Sequence, residues 1–128
     1  IALVAEGMNG WAASGAQIIR PFYLAIASRI HVCAGDSQRA LSLLNEGIAC
    51  ANNTQETWYL AELHRHRAML RAALDNDCGE SPSGATSISI HDELTLAVEL
   101  ARAQGAALFE ERARTQLAHQ LAERLKPD

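Results

Sequence analysis

Apolar residues recur at three- and four-residue intervals through most of this chain, and no stretch alternates apolar and polar in the manner of a strand. The pattern predicts helices throughout. Residues 1 to about 13 carry Leu3, Val4, Met8 and Trp11 near helical spacing, with Gly7 and Gly10 weakening the run. Ser14-Gly15 is a stop signal. A second helix is expected from about Ala16 to Ala34, with Pro21 in its first turns and Ile18, Phe22, Ala25, Ile26, Ile30 and Cys33 as its apolar positions. Gly35-Asp36 closes it. A third runs from about Ser37 to Ala51 behind an Asp36 or Ser37 cap, with Ala40, Leu41, Leu44, Ile48 and Cys50 or Ala51 as its stripe.

Asn52-Asn53-Thr54 reads as a break, and Thr54 as the cap of a fourth helix from about Gln55 to Leu74. That helix holds Trp58, Ala61, Leu63, Met69, Leu70 and Leu74. Residues 75 to 89 are rich in Asp, Asn, Gly, Ser and Pro and predict a flexible insertion loop, long for a helical domain. A fifth helix, about Ile90 to Gln104, is capped by Ser89 or Asp92 and presents Leu94, Ala97, Val98, Leu100 and Ala101. Gly105 ends it. A sixth, about Ala107 to Leu125, presents Leu108, Ala113, Leu117, Leu121 and Leu125. Helices joined by turns this short have to pack as antiparallel hairpins, so the expected fold is all-α, a single domain of about six helices.

Composition narrows the function classes. The 128 residues carry a formal net charge of -4, whereas a domain built to neutralise phosphates is normally basic, so direct nucleic-acid binding is disfavoured. No apolar run is long enough for a membrane span and no signal peptide is evident. The three cysteines, Cys33, Cys50 and Cys78, are odd in number and widely spaced, which fits a reducing cytoplasmic setting rather than a disulfide framework. Cys33 and Cys50 are expected in the core, and Cys78 is expected as an exposed thiol in the loop. Both ends of the chain fall on unpaired helical patterns, as in a piece of a longer protein.

Within residues 22 to 47, Leu24, Ala27, Ser28, His31, Gly35, Ala40, Leu44 and Gly47 fall at spacings similar to the tetratricopeptide pattern. In that pattern small residues mark where two helices cross closely. His31 stands where Tyr is usual, and Gly47 where Ala is usual. More specifically, the chain resembles the carboxy-terminal tetratricopeptide-like region of large bacterial regulatory ATPases, including those joined to class III adenylate cyclase domains or to winged-helix or LuxR-type DNA-binding domains. The resemblance rests on 58–65 (WYLAELHR), on 97–106 (AVELARAQGA), and on 109–113 (FEERA) with 116–118 (QLA), and extends over nearly the whole chain. The long Ser-rich stretch before the fifth helix departs from it. The resemblance implies a right-handed superhelical stack that serves as a scaffold or sensor beside a nucleotide-binding switch, not as the catalyst. The chain has no Gly-rich Lys-Ser/Thr phosphate loop, so ATP binding does not carry over.

Candidate chemistry is sparse. His64 and His66 lie two apart on a helix and point about 200° apart, which is poor geometry for one metal ion. Glu62, Arg65 and His66 are better read as bridges to a neighbouring helix. Glu110 and Arg114 are spaced for a surface ion pair, and one charge of the 110–114 run is a candidate for burial against the fourth helix, with Arg65 or Arg67 as counter-ion. His31 and Cys33 diverge on their helix and make no nucleophile–base pair. No catalytic residue, metal or cofactor is therefore expected. A protein or peptide partner is expected instead, with the ATPase domain of the same parent chain as one candidate, along with self-association through the terminal helices. The groove of such a stack draws on Arg20, Tyr23, Arg29, Glu62, Arg65, Arg112 and Gln116. The alternative function is a sensor whose groove takes a small effector or peptide.

Overall fold

The computed structural model describes residues 1–15, 18–78 and 88–127, all of whose regular structure is α-helical. The order is α1 (Ala2–Ala13), α2 (Arg20–Cys33), α3 (Ser37–Thr54), α4 (Leu60–Cys78), α5 (Ile90–Ala103) and α6 (Ala107–Arg124). The chain divides into two compact units, Ile1–Tyr59 and Leu60–Asp128.

In the first unit α2 and α3 form an antiparallel hairpin across Ala34-Gly35-Asp36. Gly35 sits at φ +82°, a left-handed conformation that only glycine adopts without strain. Asp36 then caps α3, its carboxylate accepting the Arg39 N–H at 3.1 Å. Leu24, Ala27 and Leu43 make the core of the hairpin, and Val4 and Met8 of α1 and Cys50 pack against it. Where the helices cross, the buried Ser28 hydroxyl donates to the Ala40 carbonyl at 3.0 Å. In the second unit α5 and α6 form a hairpin cored by Ala97, Val98 and Ala113, and α4 packs on both.

The two hairpins share one blueprint. A shift of 70 positions maps α2 onto α5 and α3 onto α6, with 14 residues in each first helix and 18 in each second. The turns match as well. Asp36 N–H donates to the His31 carbonyl and Ala106 N–H to the Ala101 carbonyl, both at 2.9 Å, and Gly105 is left-handed like Gly35. Leu24, Ala27, Ser28 and Leu43 are buried, as are their counterparts Leu94, Ala97, Val98 and Ala113.

Several expectations need correction. The second helix starts at Arg20 rather than Ala16. Residues 16 and 17 lie outside the described ones, but Ile18 and Ile19 form a turn. Pro21 explains the shift, because a proline deeper in a helix would clash with the carbonyl four residues back. Ile19 takes φ +58°, and its N–H is held by the Glu56 carboxylate at 2.7 Å. The Asn52-Asn53-Thr54 triplet does not end the third helix. Thr54 turns its hydroxyl back to the Cys50 carbonyl at 2.9 Å, and left-handed Gln55 provides the stop. The fourth helix accordingly begins at Leu60, not Gln55, and runs on to Cys78, so 75–78 are helical rather than loop. Asp and Asn disfavour a helix by only about 0.7 kcal/mol each at most, too little to end one already formed. Residues 79–87 of the expected loop, and the side chain of Cys78, lie outside the described residues.

The apolar stripe expected on the second helix is misplaced in part: Ala25 is buried and Phe22 half-buried, as expected. Ile18, Ile26 and Ile30 are 73%, 37% and 37% exposed, and Cys33 is exposed instead of in the core. The buried face is Pro21, Leu24, Ala25, Ala27 and Ser28, of which Leu24, Ala27 and Ser28 belong to the small-residue trace. Cys50 is half-buried, and burial pushes its thiol above the usual range. Trp58 is 45% exposed and stands before α4, not in it. Met69, Leu108, Leu121 and Leu125 are also exposed, so α6 buries Ala113 alone.

Candidate functional site

The polar residues of α4 are its least ordinary feature. Glu62 and Glu93 are 1% and 0% exposed, and each is surrounded by basic side chains. A carboxylate removed from water needs such partners, because an unpaired buried charge costs several kcal/mol.

Glu62, in the first turn of α4, accepts from Arg65 Nε at 2.8 Å and Arg65 Nη2 at 2.9 Å, a two-pronged contact within one helical turn. Arg112 of α6 reaches the same carboxylate at 3.3 Å, and His66 Nε2 stands 3.6 Å from it. Burial pushes the Glu62 carboxyl up; the His66 ring and the Arg65 guanidinium outweigh it and hold the group at about 2. Glu93, in the first turn of α5, forms a second network with α4. His64 Nδ1 lies 3.1 Å from one oxygen, which also accepts from Arg67 Nε, and Arg71 Nη1 donates to the other at 2.8 Å. Burial again opposes ionisation, and His64, Arg67 and Arg71 overcome it and hold Glu93 below the ordinary carboxylate range.

His64 and His66 thus belong to different networks, as their spacing requires. Among the described residues no group of three His, Cys, Asp or Glu is placed to hold a metal ion. The expected Glu110–Arg114 pair is present at 2.8 Å, with Arg102 adding a second contact to Glu110 at 3.1 Å. Arg112 is the charge of that run drawn to α4, but its side chain stays 47% exposed instead of buried, and its counter-ion is Glu62 rather than the expected Arg65 or Arg67.

Above Glu62 the second unit opens into a cleft of about 410 Å3, lined by Arg65, Leu108, Glu111, Arg112, Thr115 and Gln116. Of the groove residues expected from sequence, Arg65, Arg112 and Gln116 line this cleft, and Glu62 lies beneath it holding both arginines. The other three belong to the first unit. Arg20 pairs with Glu46 at 2.6 Å, Tyr23 packs against Trp11 with the rings tilted by 52° and their centroids 4.8 Å apart, and Arg29 is exposed. Glu93 is not among the residues expected from sequence, although two signals point to it. It sits on the apolar face of α5 beside Leu94 and Ala97, and His64, Arg67 and Arg71 share one face of α4 at spacings of three and four.

The chain is similar to an uncharacterized protein of Rhizobium meliloti (strain 1021), 35% identical over 100 residues, which cover 78% of this chain and 9% of that protein. The chain therefore spans about a tenth of the length of the curated relative it matches. If 100 residues are 9%, that relative is roughly 1,100 residues long (100/0.09). No protein-family model matches the chain, and no solved structure matches it. Among the described residues no helix is long and apolar enough to cross a membrane.

Proposed function

We propose that this chain is a non-catalytic, tetratricopeptide-like docking module of a large bacterial signalling protein, adjoining a regulatory ATPase and reading out to transcription or cyclic-nucleotide synthesis. Its occupant is a protein segment, supplied by the ATPase domain of the same chain or by a separate partner. The observation that carries the reading is the α4–α6 cleft, where Arg65 and Arg112 are steadied from below by buried Glu62 while Arg112 and Leu108 face solvent. A guanidinium held in place beside an exposed leucine suits a polar-rimmed protein contact, since arginine is enriched and energetically prominent in such interfaces. The helical hairpins, the resemblance and the length of the Rhizobium relative support the same reading. Buried Glu62 and Glu93 are satisfied by their basic neighbours and serve as positioning groups.

Photo-crosslinking tests the proposal. A benzophenone side chain replaces Gln116 in the full-length protein that contains this chain, and the adducts are mapped by mass spectrometry. The expected result is one defined protein segment, inside the same polypeptide or in another, whose adduct disappears with Arg112→Glu. Absence of any protein adduct, or adducts indifferent to Arg112→Glu, would overturn it.

A further inference from the structure

The first unit contains a second concave site, unrelated to the α4–α6 cleft. It is a cavity of about 260 Å3 beneath α1. Its floor is apolar, formed by Val4, Met8, Leu24 and Leu43. Its rim is charged. Arg20 and Glu46 neutralise one another at 2.6 Å, whereas the exposed Arg39 guanidinium makes no ion pair among the described residues. Asp36 is the opposing charge nearby. Its carboxylate is committed to the Arg39 backbone N–H at 3.1 Å and lies 3.7 Å from His31 Nδ1. Two wall residues, Trp11 and His31, each keep a buried ring nitrogen without a hydrogen-bond partner among the described residues. An indole N–H and a guanidinium are donors only. The uncommitted polar capacity of the cavity is thus weighted to donors, above an apolar floor.

We propose that this cavity binds a small amphipathic anion, a carboxylate or phosphate group at the Arg39 rim with a short apolar body against Leu24 and Leu43. A volume of about 260 Å3 is below the ~300–1,000 Å3 of drug-sized sites, which restricts the body to a short chain or one small ring. Occupancy also bears on α1, which buries none of its residues fully and reaches the core through Val4 and Met8. A ligand between α1 and the α2–α3 hairpin adds to the little that holds this helix down, so the site is a means of ordering α1 in response to a metabolite-sized anion.

The test uses probes of one length and different heads: hexanoate, hexyl phosphate, 1-hexanol and hexylammonium. Trp11 reports binding by fluorescence in a Trp58→Phe background, a change at a 45% exposed position. A saturable signal is expected with hexanoate or hexyl phosphate, whichever head binds more tightly. It should be at least tenfold weaker with hexanol, absent with hexylammonium, and weakened at least tenfold by Arg39→Gln with the helical spectrum unchanged. Hydrogen exchange on the unsubstituted protein gives a second readout, in which the anion slows exchange across α1. Equal affinity for hexanol and the anions, indifference to Arg39→Gln, or no saturable change in either readout overturns the proposal.

Discussion

Glu62→Gln isolates the cost of disarming a buried carboxylate while keeping its shape. In the native fold Glu62 is 1% exposed and receives Arg65 through two hydrogen bonds and Arg112 through a third. A carboxyl held at about 2 instead of its ordinary 4.5 contributes about 3 kcal/mol at neutral pH, at ~1.36 kcal/mol per pH unit. Removing one partner of a buried ion pair independently costs about 3–5 kcal/mol, so the two routes agree. Urea is the suitable denaturant because it does not screen charge. With a slope of about 2 kcal/mol per molar, the midpoint followed by helix circular dichroism should fall by about 1.5 M at pH 7. The pH dependence supplies the sign. The folded-state value is depressed, so the contribution is complete above the unfolded value of 4.5 and is lost as pH falls toward 2. The gap between wild type and variant should therefore close between those limits. The exposed Glu111→Gln control should shift stability by no more than about 0.5 kcal/mol. A loss below 1 kcal/mol at pH 7, or a gap that persists at low pH, would refute the reasoning.

Three further outcomes follow from particular positions. Arg112→Ala removes a half-exposed partner at 3.3 Å and should cost less than about 1 kcal/mol in the same urea assay; a loss above about 2 kcal/mol would contradict this. Gly7→Ala should stabilise by about 0.5–1 kcal/mol, because a Cβ there meets nothing within 4 Å and alanine is the better helix former; a lowered melting temperature would contradict this. Gly105→Ala should destabilise by about 1–2 kcal/mol although a Cβ has equal room there, because φ +67° is left-handed. An unchanged melting temperature would show that the α5–α6 turn relaxes.

The limits of what the sequence reveals are physical. The fifth and sixth helices are legible to within a residue because Ser89 caps one and Gly105 separates them. The second and fourth are misjudged at their starts because local signals there act differently in context. Thr54 bonds backward to Cys50 instead of capping forward, and Ile19 accepts a left-handed conformation secured by Glu56. On α2 the small residues Ala27 and Ser28 mark the buried face better than the large Ile26 and Ile30, since a close helix crossing excludes bulk. The cluster of Glu62, Arg65, Arg112 and Gln116 is partly foreseeable from helical spacing. Glu93 is missed because an acid on an apolar face looks anomalous until its three basic partners on another helix are seen.

The bracket around Glu93 bears on misassembly. Arg67 and Arg71 are one turn apart and hold opposite oxygens of the same carboxylate. Sliding α4 by one turn, about 5.4 Å, would leave one guanidinium facing apolar neighbours on α5. Against correctly seated leucines such a network adds little, but against a slipped pairing it imposes a penalty of about 3–5 kcal/mol. Alanine-rich helices offer smooth surfaces with several near-equivalent seatings, and the buried charges act as a proofreading device among them. A variant with Glu93→Leu, Arg67→Met and Arg71→Met should keep its helix content and lose its sharp unfolding transition. If it unfolds as cooperatively as the wild type, shape alone selects the seating.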